Sequence, residues 1–269
     1  VLTSDLSAAV SRAEIVIISI SSQGLRGFIE RIKEAADVSD KIFVLCMKGI
    51  ETGTGKRLSE ILTESGISPE KIAVWVGPGH IQSFVQGIPN CMVIDSENEA
   101  LKIDLVTKFK SDLIRFYYGN DLIGTEIGAA AKNVMGIAAG VLDVICVPLK
   151  GPLMSRGARE VARLIKAMGG NELSAYGLAH LGDYETTLFS RYSHNRMYGE
   201  MLAKGERFEK LAEGVATSGA MKLLGEKYGV DLPITEAVYA VCYGEGDDVA
   251  RCKEEIGKLF RRSTKAEMY

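Results

Sequence analysis

The chain has 269 residues, of which 46% are hydrophobic and 25% are charged, and its formal net charge is −3 at pH 7. These values are ordinary for a globular protein of one large or two modest domains with an ample core. The slight excess of negative charge argues against nucleic acid or an anionic membrane surface as the main partner.

The first part of the chain alternates predicted strands with predicted helices. Continuous β-branched and apolar runs, typical of strands covered on both faces of a parallel sheet, occur at 14–20, 41–46, 72–76, 91–95 and 114–118. Helices are predicted around them at 5–13, 25–36, 58–64 and 97–108. This alternation predicts an α/β domain built on a doubly wound, Rossmann-like parallel sheet.

After residue 118 the pattern changes, and only helical stretches follow. They are predicted at 122–146, 155–169, 172–180, 195–204, 206–227, 233–243 and 247–260. We therefore expect a sheet domain over residues 1–121 and an all-helical domain over residues 122–269.

The first of these helices lies within an apolar stretch, 127–149, that is long enough to suggest a membrane span. Lys132, Asn133 and Asp143 interrupt it, which favours a buried helix and no integral membrane contact. The five cysteines and three histidines are scattered, without a CxxC pair or ligand spacing. This pattern favours a reduced, cytoplasmic protein without a structural metal site.

The helix predicted at 122–146 carries glycines at four-residue spacing, with Lys132 in the middle. Residues four apart lie on one side of a helix, so the lysine shares its face with Gly124, Gly128, Gly136 and Gly140. Each glycine costs a helix about 1 kcal/mol relative to alanine, and the stripe therefore indicates close approach by another backbone or by a ligand. Helix packing with the lysine reaching solvent and a ligand site at Lys132 both stay open on this segment alone.

Two glycine-containing loops follow the second and third strands, at the carboxyl edge where doubly wound sheets bind ligands. Lys48 begins the first loop, and Gly77 and Gly79 lie in the second. Backbone N–H groups next to glycine can approach an anion, and Lys48 would add a charge. The alternative is a pair of ordinary turns that need glycine for its backbone freedom. The run at 53–57 lacks the P-loop spacing, and the chain contains no GxGxxG.

A last group of polar residues lies in the helical part. Asp183 follows a predicted helix end and is placed to pair with a lysine. Ser193, His194 and Asn195 precede a helix, an arrangement that binds phosphate at a helix N-terminus. Simple capping of that helix is the alternative.

Six short segments, spread over almost the whole chain, together carry a resemblance to a known family. They are Leu45-Cys46-Met47-Lys48-Gly49-Ile50-Glu51, Gly77-Pro78-Gly79, Lys132-Asn133-Val134, Leu181-Gly182-Asp183, Ser193-His194-Asn195-Arg196 and Ala212-Glu213-Gly214. Each is weak alone, but in this order and with these gaps the chain resembles the bacterial NAD(P)-dependent glycerol-3-phosphate dehydrogenases. The resemblance implies hydride transfer between sn-glycerol 3-phosphate and dihydroxyacetone phosphate with NAD or NADP, supplying glycerophospholipid synthesis, by a cytoplasmic homodimer.

The resemblance also implies roles for single residues. Lys132 matches the general base and acid. The residues that match substrate contacts are Lys48, Gly77, Gly79, Lys132, Asp183, Ser193, His194 and Asn195. Those that match cofactor contacts are Lys48, Ile81, His194, Leu211 and Glu213. No metal is implied.

The chemistry assigned to Lys132 requires an unusual environment. A free lysine has a pKa of about 10.4, and efficient proton transfer requires a value nearer neutrality. Burial among small apolar residues lowers the pKa, and a second cation such as Lys48 lowers it further. Asp183 opposes this shift, so we expect it to orient groups and to bind a substrate hydroxyl.

Two residues depart from the family pattern in the expected phosphate site. His194 stands where the family has an arginine, whose two-pronged phosphate contact a histidine cannot reproduce. Gly79 stands in place of a usual serine. We expect either Arg196 or Arg191 to compensate, and the sequence leaves both open.

The family also opens with a glycine-rich strand–turn–helix, which the 269 residues do not include. We therefore expect a longer natural protein, an exposed apolar edge at strand 14–20, and weak dinucleotide binding by these residues alone. Two alternatives stay open: a related two-domain dehydrogenase for another hydroxy acid or ketone, and a non-catalytic relative without cofactor.

Overall fold

A computed structural model describes residues 2–79 and 81–266. Its first part contains a five-stranded sheet in the order β1-β2-β3-β4-β5. The strands are Ile15–Ile18 (β1), Ile42–Leu45 (β2), Ile72–Val76 (β3), Asn90–Asp95 (β4) and Ile114–Tyr118 (β5). Each lies within the predicted run or one residue outside it, so the apolar runs located all five strands.

The helices that accompany and follow the sheet are numbered in chain order. They are Leu6–Arg12 (α1), Leu25–Ala35 (α2), Leu58–Glu64 (α3), Ile81–Val85 (α4), Glu99–Phe109 (α5), Leu122–Ile145 (α6), Lys150–Ala167 (α7), His194–Lys204 (α8), Glu213–Tyr228 (α9), Pro233–Tyr243 (α10) and Asp248–Phe260 (α11). The class, a Rossmann-like sheet domain followed by a helical domain, is confirmed.

The sheet is mixed, which corrects the expectation of parallel strands throughout. β1, β2 and β3 pair in parallel, and β4 and β5 pair in parallel, but β3 and β4 are antiparallel. Parallel neighbours need a crossover that packs a helix of several turns against the sheet. The connection from β3 to β4 holds only the five-residue helix α4, so the chain instead turns back at the same edge. The sequence offered no sign of this reversal.

Three predicted helices in the second part have different bounds. The helix predicted from 155 begins at Lys150. Pro152 does not prevent this earlier start, because proline is tolerated in the first turn of a helix. The stretch 172–180 forms only the short 3₁₀ helix Glu172–Tyr176. The helix predicted from 206 begins at Glu213. Phe208, whose spacing suggested a helix, lies in the preceding loop, where its ring packs against those of His194 and Tyr198.

The glycine stripe of α6 is used for close approach by other chain segments. A Cβ at Gly140 would lie 1.9 Å from the carbonyl oxygen of Arg196, and one at Gly199 would lie 2.0 Å from that of Ile137. The backbones of α6 and α8 therefore touch where they cross. Although α6 is long and apolar enough to span a membrane, 83% of its most apolar window is buried inside the protein, as in the core helix of a folded domain.

Two contacts tie the start of α6 to the sheet domain. Thr125 donates a hydrogen bond to Asp95 at the end of β4 (2.7 Å). Glu126 accepts hydrogen bonds from the backbone N–H and hydroxyl of Ser59 and from Arg57 at the start of α3. Since all five side chains are buried, the position of α6 relative to the strand ends is set by a polar network.

Candidate active site

Lys132 lies two turns after these contacts on α6, and its side chain is buried rather than exposed to solvent. Its ammonium Nζ donates to the Thr187 hydroxyl (2.8 Å) and lies 2.8 Å from Asp183 Oδ2. The preceding turn of the helix, residues 128–131, consists of a glycine and three alanines, so no long side chain of that turn lies beside the amine. The amine is therefore buried, in direct contact with a hydroxyl and a carboxylate.

A second lysine reaches the same carboxylate from the sheet domain. Lys48, just after β2, donates to Asp183 Oδ2 (2.6 Å) and to the carbonyl oxygen of Gly77 after β3 (2.9 Å). The other carboxylate oxygen of Asp183 accepts a hydrogen bond from Thr186. Asp183 therefore joins the two lysines, and with them the two domains, at one point.

Electrostatics bring the pKa of Lys132 close to neutrality. Burial, which disfavours the charged amine, and the nearby Lys48 cation lower the pKa of Lys132 from 10.5 to about 7, while Asp183 opposes the shift. Burial by itself would raise the pKa of the Asp183 carboxyl, but Lys48 and Lys132 outweigh it and hold the pKa below its usual value. Asp183 is consequently an anion, and Lys132 can both give and take a proton.

A buried histidine supports α6 one turn before Lys132. His180 Nδ1 lies 2.9 Å from the carbonyl oxygen of Gly128, and Tyr184 OH lies 2.8 Å from His180 Nε2. Burial lowers the pKa of His180 to about 4, so the neutral ring donates from Nδ1 and accepts the tyrosine hydroxyl at Nε2. A Cβ at Gly128 would lie 3.0 Å from the His180 Cβ, which explains this glycine. His180 therefore supports the backbone of α6 as a neutral residue and adds no charge near Lys132.

The two loop glycines pack against β4. Gly77 has a φ of +131°, and a Cβ there would lie 3.1 Å from the Met92 Cα. A Cβ at Gly79 would lie 2.4 Å from the Met92 sulfur and 2.8 Å from the Phe84 ring. Gly77 therefore requires glycine, because its φ is positive and the backbone of β4 lies beside it, whereas a serine at residue 79 would have to displace only the ends of two side chains.

The residues expected to bind phosphate are drawn into contacts within the protein. Ser193 caps α8 by accepting the N–H of Arg196 (3.3 Å), and Asn195 Oδ1 accepts the N–H of Gly214 (2.8 Å). His194 is exposed, and its Nδ1 lies 3.2 Å from the Leu211 carbonyl oxygen. Capping and the predicted phosphate contact are compatible, because the N–H groups of the first turn of α8 point outward along the helix axis.

The two arginines that were expected to compensate for His194 differ in their partners. Arg196 Nε pairs with Asp143 (2.6 Å), and its Nη2 pairs with Glu200 (3.2 Å). Arg191 is exposed, with its guanidinium over the Tyr192 ring and one hydrogen bond to the hydroxyl of that tyrosine. Binding of an anion by Arg196 would require it to leave two carboxylates, so the structure favours Arg191.

The predicted cofactor contacts lie around the same strand ends. A Cβ at Gly49, next to Lys48, would be 3.9 Å from Glu213 Oε2. Ile81 and Leu211 are apolar yet 76% and 61% exposed, so their side chains are accessible to a flat ring. An acceptor-only carboxylate, a cation and two exposed apolar side chains fit a dinucleotide, whose hydroxyl and amide groups donate and whose phosphates are anionic.

A large cavity lies elsewhere and does not mark the site. About 830 Å³ in volume, it lies between α6, α7, α10 and α11 and is lined mainly by apolar side chains such as Ile137, Leu153 and Val238. Neither Lys132 nor Lys48 lines it. The candidate site is identified by its converging charged groups rather than by its volume.

Sequence reasoning missed two residues that complete the site. Thr187, which accepts the hydrogen bond from Lys132, belongs to a single π-helical turn, Glu185–Phe189. Such turns are rare and frequent at functional sites, but no apolar spacing predicts them. Ser22 is fully buried and contacts Glu213, and a lone serine after a strand carries no signal of that kind.

Comparison with known proteins gives consistent results over nearly the whole chain. Residues 1–102 match the family described as NAD-dependent glycerol-3-phosphate dehydrogenase N-terminus, and residues 121–251 match its C-terminus. Glycerol-3-phosphate dehydrogenase [NAD(P)+] of Pelodictyon phaeoclathratiforme is 36% identical over 90% of this chain and 76% of its own length. The protein of that name in Chlorobium phaeobacteroides is also 36% identical, over 98% of this chain and 81% of its own length.

A solved structure has the same fold. The crystal structure of glycerol-3-phosphate dehydrogenase from Coxiella burnetii superposes with a TM-score of 0.84, covering 96% of this chain and 80% of that chain. The two sequences are 24% identical, so this likeness supports the architecture described above.

Proposed function

The chain belongs to the NAD-dependent glycerol-3-phosphate dehydrogenase family, and we propose that it interconverts sn-glycerol 3-phosphate and dihydroxyacetone phosphate with NAD or NADP. The observation that carries the proposal is the contact of Lys132 and Lys48 with one oxygen of Asp183. This contact joins a buried amine with a pKa of about 7 to the ligand-binding edge of a Rossmann-like sheet.

Lys132 supplies the proton chemistry in this proposal. In the reducing direction, its ammonium gives a proton to the carbonyl oxygen as that oxygen becomes a hydroxyl, and the neutral amine regains a proton from water. In the oxidising direction, the neutral amine takes the hydroxyl proton. The nicotinamide cofactor, when bound, supplies or accepts the hydride.

The remaining residues bind and orient. Lys48 bridges the two domains beside the reacting groups and is proposed to contact both substrate and cofactor. Gly77 holds Lys48 through its carbonyl, and Gly79 shapes the same loop. Ser193, His194 and Asn195 are proposed to meet the phosphate at the start of α8, and Ile81, His194, Leu211 and Glu213 to contact the cofactor.

We extend the proposal to a cytoplasmic homodimer that supplies the glycerol backbone of phospholipids. The family resemblance supports this. The glycine stripe of α6 does not, because its members contact segments of the same chain. Sedimentation analysis of the purified protein tests the homodimer.

The activity is tested by following the oxidation of NADH and of NADPH with dihydroxyacetone phosphate. We expect turnover with the phosphorylated ketone and at least about tenfold lower kcat/KM with unphosphorylated dihydroxyacetone, since charge-assisted contacts to a phosphate are lost. Equal kcat/KM for the two ketones would favour the related dehydrogenase for another hydroxy compound. Absence of turnover with either cofactor would contradict the proposal.

The two arginines near the start of α8 give a paired test of phosphate binding. Arg191→Ala is expected to raise KM for dihydroxyacetone phosphate by about tenfold, the loss of one charge-assisted hydrogen bond at an exposed site. Arg196→Ala is expected to lower Tm, because it leaves Asp143 and Glu200 without this partner, and to change KM less. Steady-state kinetics and melting curves separate the two. Unchanged KM in both variants would exclude either arginine as the phosphate ligand.

A further inference from the structure

We infer that Ser22 is a positioning residue which, by holding Glu213, closes the sheet domain over the substrate site. The inference rests on the proposed function, and it concerns a residue that is expected to touch neither substrate nor cofactor. Ser22 lies after β1 in the sheet domain, whereas Glu213 is the first residue of α9 in the helical domain.

The contact between the two residues is two-pronged. The Ser22 hydroxyl donates to Glu213 Oε2 (2.5 Å), and the Ser22 backbone N–H donates to Oε1 (3.3 Å). Ser22 is 1% exposed, so the serine end of the contact lies away from bulk water, which strengthens a hydrogen bond to a carboxylate. A Cβ at Gly49 would lie 2.4 Å from the Ser22 hydroxyl oxygen, which shows how closely the Lys48 loop packs on this serine.

The residue after Ser22 extends the contact into the Lys48 loop. Gln23 donates from Nε2 to the Ile50 carbonyl oxygen (2.9 Å), and its Oε1 accepts both the N–H and the hydroxyl of Thr52 (2.9 Å each). The turn at residues 22–24 therefore holds the loop that carries Lys48 at the same time as it holds Glu213.

The residue after Glu213 extends the contact into the substrate site. The Gly214 N–H donates to Asn195 Oδ1 (2.8 Å), and a Cβ at Gly214 would lie 2.6 Å from the Asn133 carbonyl oxygen. Asn133 follows Lys132 on α6. A continuous chain of close contacts thus runs from the Lys48 loop through Ser22 and Glu213 to the neighbours of Lys132.

This chain of contacts has a consequence for the reacting amine. Closure keeps Lys132 buried and keeps Lys48 beside it; Asp183 and the neutral His180 are the other titratable groups that face it. Domains that separate more readily would hydrate Lys132 and move Lys48 away. Ser22 also leaves the remaining lone pairs of the Glu213 carboxylate free to accept hydroxyl or amide donors of a dinucleotide.

The test compares Ser22→Ala with Ser21→Ala, a neighbouring serine that is exposed. We expect Ser22→Ala to raise KM for NAD(P)H by about tenfold, as for a lost charge-assisted hydrogen bond, with a smaller change in KM for the ketone phosphate. The pH at which kcat/KM for reduction falls by half should move upward. In the protein without ligands, hydrogen–deuterium exchange at residues 48–52 and 212–215 should become faster, and Ser21→Ala should match the wild type throughout.

Several outcomes would overturn the inference. Wild-type exchange at both segments in a folded Ser22→Ala protein would show that the hydroxyl does not hold the domains together. Equal effects of the two variants, or an unchanged pH profile, would do the same. An inactive wild type would contradict the proposed function. The domain contact would still be tested, because hydrogen–deuterium exchange is measured without substrate.

Discussion

Replacing Lys132 by methionine is expected to lower kcat between about 10²- and 10⁴-fold, the usual contribution of a positioned general acid or base. Methionine fills the space of the lysine stem but carries no proton. For the wild type, kcat/KM for ketone reduction should fall above a pH near 7, because the pKa of Lys132 is about 7 and the amine must carry its proton to act as the acid. The variant should lose this limb of the pH profile.

The same variant is expected to stay folded, and this separates chemistry from structure. Lys132 has a lower pKa in the folded protein than in the unfolded chain, so between about pH 7 and 10.5 the unfolded state binds more protons and wild-type stability rises with pH. Below pH 7 the cost of burying the ammonium is fully present. Lys132→Met removes that cost but also removes one of the two cations that pair with Asp183, so its Tm near neutral pH should stay close to that of the wild type.

Lys102→Met is the matched control. Lys102 is also a buried lysine, but it donates to the Gly119 carbonyl oxygen and pairs with Glu99 in the sheet domain. We expect it to keep kcat within about threefold of the wild type and to lower Tm, since it leaves a buried acceptor without this donor. A well-folded Lys132→Met protein with near-normal kcat would exclude Lys132 as the general acid and base.

The fold was largely predictable because strands that are buried on both faces of a sheet consist of continuous runs of apolar residues. The runs that became β1, β2 and β3 are apolar without interruption, and Asp5 caps α1 as expected, accepting the N–H of Ala8. The direction of β4 was not predictable, because strand composition is the same in either direction. Likewise, the spacing around Phe208 fits a helix as well as the loop that forms, and only tertiary contacts decide between them.

The site was predictable where a residue's chemistry is unusual for its position. A lysine within a glycine-rich apolar helix stood out, and the structure brings Lys132 and Asp183 together. Asp183 was expected after the end of an α-helix, but it lies in the short 3₁₀ helix Leu181–Asp183. Thr187 and Ser22 did not stand out, because a hydroxyl is common everywhere and its partner is far away in sequence. The family resemblance located Glu213, but only the structure shows that Ser22 holds it.

Replacing Asp183 by asparagine is expected to have the second largest effect on activity, through two physical causes. Asp183 raises the pKa of Lys132, so its loss should lower that pKa below about 7 and leave less ammonium at neutral pH. Lys48 and Lys132 would also repel each other without the carboxylate between them. We expect kcat/KM for reduction at pH 7 to fall by about 10²-fold, with partial recovery as the pH is lowered.

Stability gives an independent measurement of the same carboxylate. Its pKa is lower in the folded protein than in the unfolded chain, so it stabilises the fold above a pH of about 4, and this contribution is lost as the pH falls through the folded value. Removing one partner of a buried ion pair costs about 3–5 kcal/mol, so Asp183→Asn should melt about 10 °C below the wild type at pH 7. The difference should shrink toward pH 3.

Asp95→Asn provides the comparison, because Asp95 is as deeply buried as Asp183 and is held by Thr125 rather than by two lysines. Burial raises the pKa of the Asp95 carboxyl, so the folded protein holds this proton more tightly than the unfolded chain. The loss of stability caused by Asp95→Asn, relative to the wild type, should therefore not increase between pH 4 and 7. If Asp183→Asn instead kept the wild-type pH profile and melted like Asp95→Asn, the carboxylate would serve only as a buried polar group, and its shared contact with Lys48 and Lys132 would have no part in proton transfer.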